Sequence, residues 1–337
     1  MKNKTKMKRN SIKTLLCLAL IVAGMGSATA QILKFNTKKT LKIVQFTDVH
    51  WKPGKPESSA ATKCMNAVLD AEKPDLVVYT GDVAYDKPAF EALDSAFAPV
   101  ISRGIPFAYT FGNHDDEQGR TRQEIFEYVR KKPLCLTTTA EGVSGMANFC
   151  LPVKSADGKH DAAVIDVFDS NSYSSIKEIK GYDWVHPDQI DWYRSQSAAY
   201  TKTNGGNPLP SIVFQHIPVP EFNDAARDEE ARLIGKRFEE ACAPKLNTGE
   251  FAAMRLNGDV MAMFVGHDHI NNYSVLYKGI LLSYGQYTGG RTVYCPQRNG
   301  ARVIELTEGS RTFKTWLRMA DGEVLDPITC PDDFTKE

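Results

Sequence analysis

The sequence predicts an α/β protein, a four-layer α/β/β/α sandwich of two mixed sheets. Three observations carry this. Strand-like and helix-like segments alternate β-α-β-α-β-α from residue 41 to about residue 131, the pattern of parallel pairing. The second half closes with consecutive short apolar strands and no helix between them, which pair antiparallel and call for a second sheet packed on the first. Five strands end on acids, amides or histidines: Asp48-Val49-His50, Gly81-Asp82, Gly112-Asn113-His114-Asp115, His216, and Gly266-His267-Asp268-His269. In open α/β sheets the carboxyl ends of the strands are where ligands bind.

The chain has 337 residues, with 41 basic and 41 acidic side chains and no net charge. That balance calls for neither a nucleic-acid partner nor an anionic membrane surface. Residues 1–30 read as a signal peptide. Lys2, Lys4, Lys6, Lys8, Arg9 and Lys13 form a basic start, Thr14 to Gly26 an apolar run, and Ala28-Thr29-Ala30 a cleavage site. The run is too short to span a bilayer, so the protein is expected to be exported without a stable membrane span. Residues 31–40 read as a polar linker.

The elements then follow in order. Strand 41–47 leads to a helix near 57–72, where Ala61, Cys64, Met65, Val68 and Leu69 share one face. Strand 76–80 follows Pro74-Asp75. A helix near 88–102 (Leu93, Phe97 and Val100) precedes strand 106–111, and a helix near 120–131 carries Ile125, Phe126 and Val129. Strands 148–153 and 162–169 flank a turn. Pro187 suits the first position of the next helix. Strand 211–215 ends at His216, a charged helix is expected near 226–242, and strand 261–265 leads to His267 and His269. Segments 273–277, 279–284, 301–307 and 312–318 read as antiparallel strands. Beyond the signal lie Cys64, Cys135, Cys150, Cys242, Cys295 and Cys330. An even number in an exported chain is compatible with disulfides, but a domain this size has no need of them, and the sequence chooses no pairing.

Asp48, His50, Asp82, Asn113, His216, His267 and His269 supply seven ligand-type side chains. One ion takes roughly four to six; seven suit two ions sharing a carboxylate. Asp82 is the natural bridge, because its strand lies between the other two of that half. All donors are oxygen or nitrogen, which fits Mn, Zn or Fe and not a thiolate centre. Two such ions lower the pKa of a shared water and grip the oxygens of a phosphoryl group.

Taken jointly and in order, over Leu41 to Tyr284, these motifs resemble the calcineurin-like metallophosphoesterase superfamily. KIVQFTDVH, DLVVYTGD, FGNHDDE and SYGQYTG are similar to its small purple-acid-phosphatase-like branch. The resemblance implies a metallophosphatase-like domain over 41–325 with 326–337 as a C-terminal tail. It implies a small phosphate-ester substrate hydrolysed by attack of metal-bound hydroxide, with monoesters expected ahead of diesters. It places Asp48, His50 and His269 on the first ion, Asn113, His216 and His267 on the second, and Asp82 between them. His114 becomes the proton donor to the leaving oxygen, with Asp115 orienting it. True purple enzymes have Gly where His50 stands and a ligand Tyr three residues after the bridging Asp. Tyr85 has that spacing here, but His50 already fills the position, so Tyr85 is expected not to bind metal. Protein serine/threonine phosphatases carry Arg before GNH, where this chain has Phe111. A catalytically silent metal-binding or scaffold protein on the same fold is the second reading, against which the intact His114-Asp115 pair counts.

Overall fold

The computed structural model describes residues 32–291, 293 and 298–335; the expected signal segment and Cys295 lie outside the described residues. The first half runs β1 (Thr40–Phe46), α1 (Ser59–Glu72), β2 (Leu76–Thr80), α2 (Ala89–Ile101), β3 (Phe107–Thr110) and α3 (Arg122–Val129). The middle follows with β4 (Phe149–Lys154), β5 (Asp161–Val167), α4 (Pro187–Thr203), β6 (Ser211–Phe214), α5 (Glu221–Arg227) and β7 (Leu233–Ile234). Then come α6 (Glu250–Asn257), β8 (Val260–Val265), β9 (Ser274–Tyr277), β10 (Ile280–Tyr284), β11 (Gly300–Thr307), β12 (Phe313–Met319) and β13 (Val324–Cys330).

These strands form two mixed sheets, ordered β13-β12-β11-β1-β2-β3 and β4-β5-β6-β8-β10-β9-β7. β1, β2 and β3 are parallel neighbours, as the β-α-β-α-β pattern requires. The layers follow from the period of two in a strand. In the second sheet Ile212, Phe214, Ala262 and Phe264 face the first sheet, within the core that also holds the apolar faces of α1, α2 and α3. Their neighbours Val213, Met263 and Val265 face the other way, against Ile190 and Tyr193 of α4 and Met254 of α6. The four-layer α/β/β/α sandwich is therefore present. α1 buries the predicted face and stops where Lys73 turns left-handed before Pro74. α3 starts on a capping box between Thr121 and Glu124.

Three expectations are corrected. No helix covers 226–242: α5 ends at Arg227, and Gly235 adopts φ 103°. Gly235 sits in the middle of the stretch at a φ that breaks a right-handed helix, so the apolar side chains around it (Ala231, Ile234 and Phe238) do not share one helical face. Its backbone is held instead by side chains, with Phe238 N donating to Asn271 Oδ1 and Lys236 N to Asn272 Oδ1. The helix of this region is α6, between Gly249 and Gly258. The expected linker is docked, since Leu33 and Phe35 are buried and pair through their backbones with Lys154. The expected tail from 326 begins inside β13, which runs to Cys330 and pairs with β12. Among the described cysteines, Cys64, Cys135, Cys150, Cys242 and Cys330 are free thiols. No helix among the described residues is long and apolar enough to cross a membrane.

Candidate metal centre

The strand ends of both sheets meet at one point. β1, β2 and β3 deliver Asp48, His50, Asp82 and Asn113 from one sheet, and β6 and β8 deliver His216, His267 and His269 from the other. All seven side chains are buried. They form two touching groups. In the first, His269 Nε2 lies 3.0 Å from His50 Nε2 and 3.4 Å from Asp48 Oδ1. In the second, His216 Nε2 lies 3.2 Å from Asn113 Oδ1, 3.3 Å from Asp82 Oδ2 and 3.3 Å from His267 Nδ1. Asp82 Oδ2 is also 3.7 Å from His50 Nε2, so this carboxylate reaches both groups.

The backbone is bent to achieve this. Asp48, His50, Asp82 and His267 all adopt left-handed φ values, 54°, 47°, 51° and 78°. Each costs of the order of 1–3 kcal/mol and persists only where the surroundings dictate it. The motif glycines supply the room. A Cβ on Gly112 would stand 2.0 Å from Asp82 Oδ1, and one on Gly266 would stand 1.9 Å from Thr47 Oγ1. Glycine before Asn113 and before His267 is thus a packing requirement of the ligand carboxylates.

The residues present fit a cation. His216 Nδ1 lies 2.7 Å from the Thr80 carbonyl, which can only accept, so Nδ1 carries the proton. Nε2 of the neutral ring then aims a lone pair at the oxygen lone pairs of Asn113 and Asp82, an arrangement that a positive charge there relieves. The electrostatics agree. Burial opposes charging His216, yet the Asp82 carboxylate beside it raises its pKa to about 10. Burial, with His216 nearby, lowers His267 to about 3, which leaves a neutral ligand nitrogen. Burial works against the charge on Asp48, but hydrogen bonds from His269 and His50 hold it well below the usual carboxylate range. The proton that His216 attracts occupies the place a metal ion would take.

His114 stands at the edge of the centre, its ring centroid 5.9 Å from that of His50 and 5.0 Å from that of Tyr85. Its Nδ1 lies 2.7 Å from Glu117 Oε2. Asp115 does not orient it, which corrects the expected role. The Asp115 carboxylate is fully buried and accepts from the backbone N–H groups of Asp82, Val83, Ala84 and Gly112 at 2.8–3.1 Å. It ties the turn after β2 to the turn after β3. Burial and the charge of Asp82 raise its pKa, against the pull of those backbone donors. Sequence reasoning also missed Arg122, which pairs with buried Asp169 at 3.0 Å and donates to the Gly112 carbonyl at 2.7 Å. It missed Tyr173, whose hydroxyl accepts from Asn113 Nδ2 at 3.1 Å, and Tyr182, edge-on to His267 at 4.3 Å. Glu117 alone carried a readable signal, three residues after His114 on a turn of 3₁₀ helix, where such residues eclipse.

Seven buried oxygen and nitrogen donors between two facing sheets define a metal-centre protein of the α/β/β/α sandwich class. The profile of the calcineurin-like phosphoesterase family matches residues 41–271, and the chain belongs to that family. It is 31% identical over 356 residues to a protein of Arabidopsis thaliana named probable inactive purple acid phosphatase 29, covering 91% of this chain and 88% of that one. It is also 31% identical to phosphatase DCR2 of Saccharomyces cerevisiae, over 86% of this chain and 55% of the yeast protein. The fold matches a dimetal phosphatase from Danio rerio with a TM-score of 0.59 at 13% identity, covering 86% of this chain and 98% of that one.

Proposed function

We propose that this protein is an exported phosphoesterase that uses two metal ions to hydrolyse small phosphate esters, monoesters in preference to diesters. The observation that carries the reading is the convergence of all seven ligand side chains on one point, with the His114 ring at its edge. When bound, two ions at such a centre hold the phosphoryl oxygens and activate a water. The donor set, oxygen and nitrogen without sulfur, favours Mn, Zn or Fe. Asp82 would lie between the ions, Asp48, His50 and His269 would hold one, and Asn113, His216 and His267 the other. The ring of His114 offers a proton at Nε2 to the departing oxygen while Glu117 engages Nδ1. The monoester preference rests on the purple-acid-phosphatase names of its relatives, and export rests on the N-terminal pattern of charge, apolar run and Ala-x-Ala.

A second reading is a catalytically silent metal-binding protein, favoured by the word "inactive" in the name of the Arabidopsis relative. Against it stands the complete ligand set. A panel of chromogenic mono- and diesters, assayed with and without Mn, Zn or Fe, separates the two. Metal-dependent turnover, faster on monoesters, is expected. Two bound ions with no turnover on any ester would establish the silent reading instead.

A further inference from the structure

The pair formed by His114 and Glu117 would, alone, be an ordinary half-exposed contact of the kind that contributes little. Its second oxygen makes it different. Glu117 Oε2 faces His114 Nδ1 at 2.7 Å, and Glu117 Oε1 accepts from the Tyr173 hydroxyl at 3.1 Å. That hydroxyl in turn accepts from Asn113 Nδ2 at 3.1 Å. The directions are forced by the inventory of donors. An amide NH₂ only donates, so the tyrosine oxygen must accept from it, and its single proton is left for the carboxylate. The carboxylate accepts from both sides, so His114 Nδ1 carries a proton.

We propose that Glu117 and Tyr173 act as positioning residues that lock a metal ligand and the proton donor in one geometry. The inference rests on the phosphoesterase reading for its catalytic consequence, not for its structural one. At one end the clamp fixes the Asn113 amide. With Nδ2 spent on Tyr173, Oδ1 is the atom presented to the centre, 3.2 Å from His216 Nε2. At the other end it fixes the His114 ring. With Nδ1 held by Glu117, Nε2 is the nitrogen left for the leaving oxygen. One carboxylate therefore sets both neighbours of the peptide bond between Asn113 and His114. Tyr173 lies 56 residues from Glu117 and comes from the segment between β5 and α4. Ser172 of the same segment donates to the Asn113 carbonyl at 3.1 Å, and Tyr173 stacks on Tyr182, which meets His267. The segment is thus seated on both sides of the second group of ligands.

The test uses the full-length protein loaded with metal, and reads the clamp without relying on turnover. In ¹⁵N-histidine-labelled protein, a downfield ring proton bonded to Nδ1 of His114 is expected in the wild type. His114→Ala assigns it. Glu117→Ala should abolish it, whereas Glu117→Gln, which keeps an acceptor oxygen, should retain it in part. In the activity arm, Glu117→Ala should lower kcat on an alkyl phosphate about tenfold or more, as partial loss of proton transfer would. It should change kcat on p-nitrophenyl phosphate, whose leaving group needs no proton, by less than about threefold, with two ions still bound. Tyr173→Phe, which frees the Asn113 amide, should show a smaller split and in addition weaken retention of the ion at the second group. A ring proton that is absent from the wild type, or that persists in Glu117→Ala, overturns the clamp. Equal losses on both esters overturn the positioning role. A wild type that hydrolyses neither ester removes the phosphoesterase reading, and the ring-proton result still decides the clamp.

Discussion

The two halves of the metal centre are held by different means. Asp48 and His50 of the first half are set by their own backbone, both in left-handed conformations within one three-residue motif. Asn113 and His216 of the second half are set by partners distant in the chain, Tyr173 for one and the Thr80 carbonyl for the other. Asp48 and His50 are therefore set by a turn and Asn113 and His216 by the assembled fold, while His267 shares the left-handed backbone of the first pair and donates its N–H to the Asp48 carboxylate. A ligand held by its own strained turn cannot move without unfolding the turn. A ligand held by a side chain from another segment can be loosened by one substitution outside the centre. Asp82 belongs to both halves, because its carboxylate reaches His50 and His216.

The largest effect is expected where the halves join. Asp82→Asn should abolish binding of both ions and reduce hydrolysis to background, measured by elemental analysis and ester turnover after saturation with metal. Retention of two ions would show that the groups do not share this carboxylate. Next comes His114→Ala, which touches neither half. It should lower kcat about 10²–10⁴-fold on poor leaving groups and far less on nitrophenolate, with metal content unchanged. A separate comparison breaks the halves apart. His216→Ala should leave about one ion per chain, in the group containing Asp48, His50 and His269, and His269→Ala the reverse. If each variant loses both ions, the halves are one cooperative unit and the distinction drawn above is wrong.

A smaller effect is expected at Asp115, through stability. Asp115→Asn swaps one accepting oxygen for an NH₂ facing backbone N–H groups, and since each oxygen accepts from two of them, two buried donors lose their partner. Leaving a buried group unsatisfied costs about 1–3 kcal/mol. Denaturant unfolding of the metal-free protein should show that loss, and the ratio of rates on good and poor leaving groups should match the wild type. A changed ratio would return Asp115 to the role of orienting His114.

The same contrast explains what could be read from sequence. The β-α-β-α-β half was legible because each strand is an apolar run punctuated by helix faces of regular period. The ligands were legible because five strand ends carry them. What escaped is what depends on contacts across the chain. Asp115 sits beside His114 in sequence, yet its side chain turns inward to four backbone N–H groups, which no local pattern announces. Tyr173 and Arg122 lie in stretches whose composition resembles any polar loop. The charged run from Asp228 to Glu240 looks helical by propensity and spacing, but Gly235 turns the chain out of the helix and Asn271 and Asn272 bond the backbone instead.

The smallest effect is expected at Tyr85, and it sharpens the account of the first half. Tyr85 occupies the spacing at which the purple enzymes place a metal-bound tyrosinate. In this chain the ring of Tyr85 stands edge-on to the ring of His50, with centroids 4.4 Å apart. The nitrogen of His50 reaches into the first group, 3.0 Å from His269 Nε2, and the phenol packs behind it. Binding iron as a phenolate would require losing the proton. Burial, followed by the negative charges of Asp82 and Glu117, raises the pKa of Tyr85, so the neutral phenol is favoured at pH 7. Lys52 sits over the ring at 4.8 Å, a contact with the π face that asks nothing of the hydroxyl. The iron-loaded protein should therefore show no intense visible band. Tyr85→Phe should keep two ions and change stability by no more than about 0.5 kcal/mol, as for other partly exposed positions outside special contacts. An intense band in the wild type that vanishes in Tyr85→Phe would place the phenolate on the metal. It would also mean that His50, despite its strained backbone, is not what completes the first half.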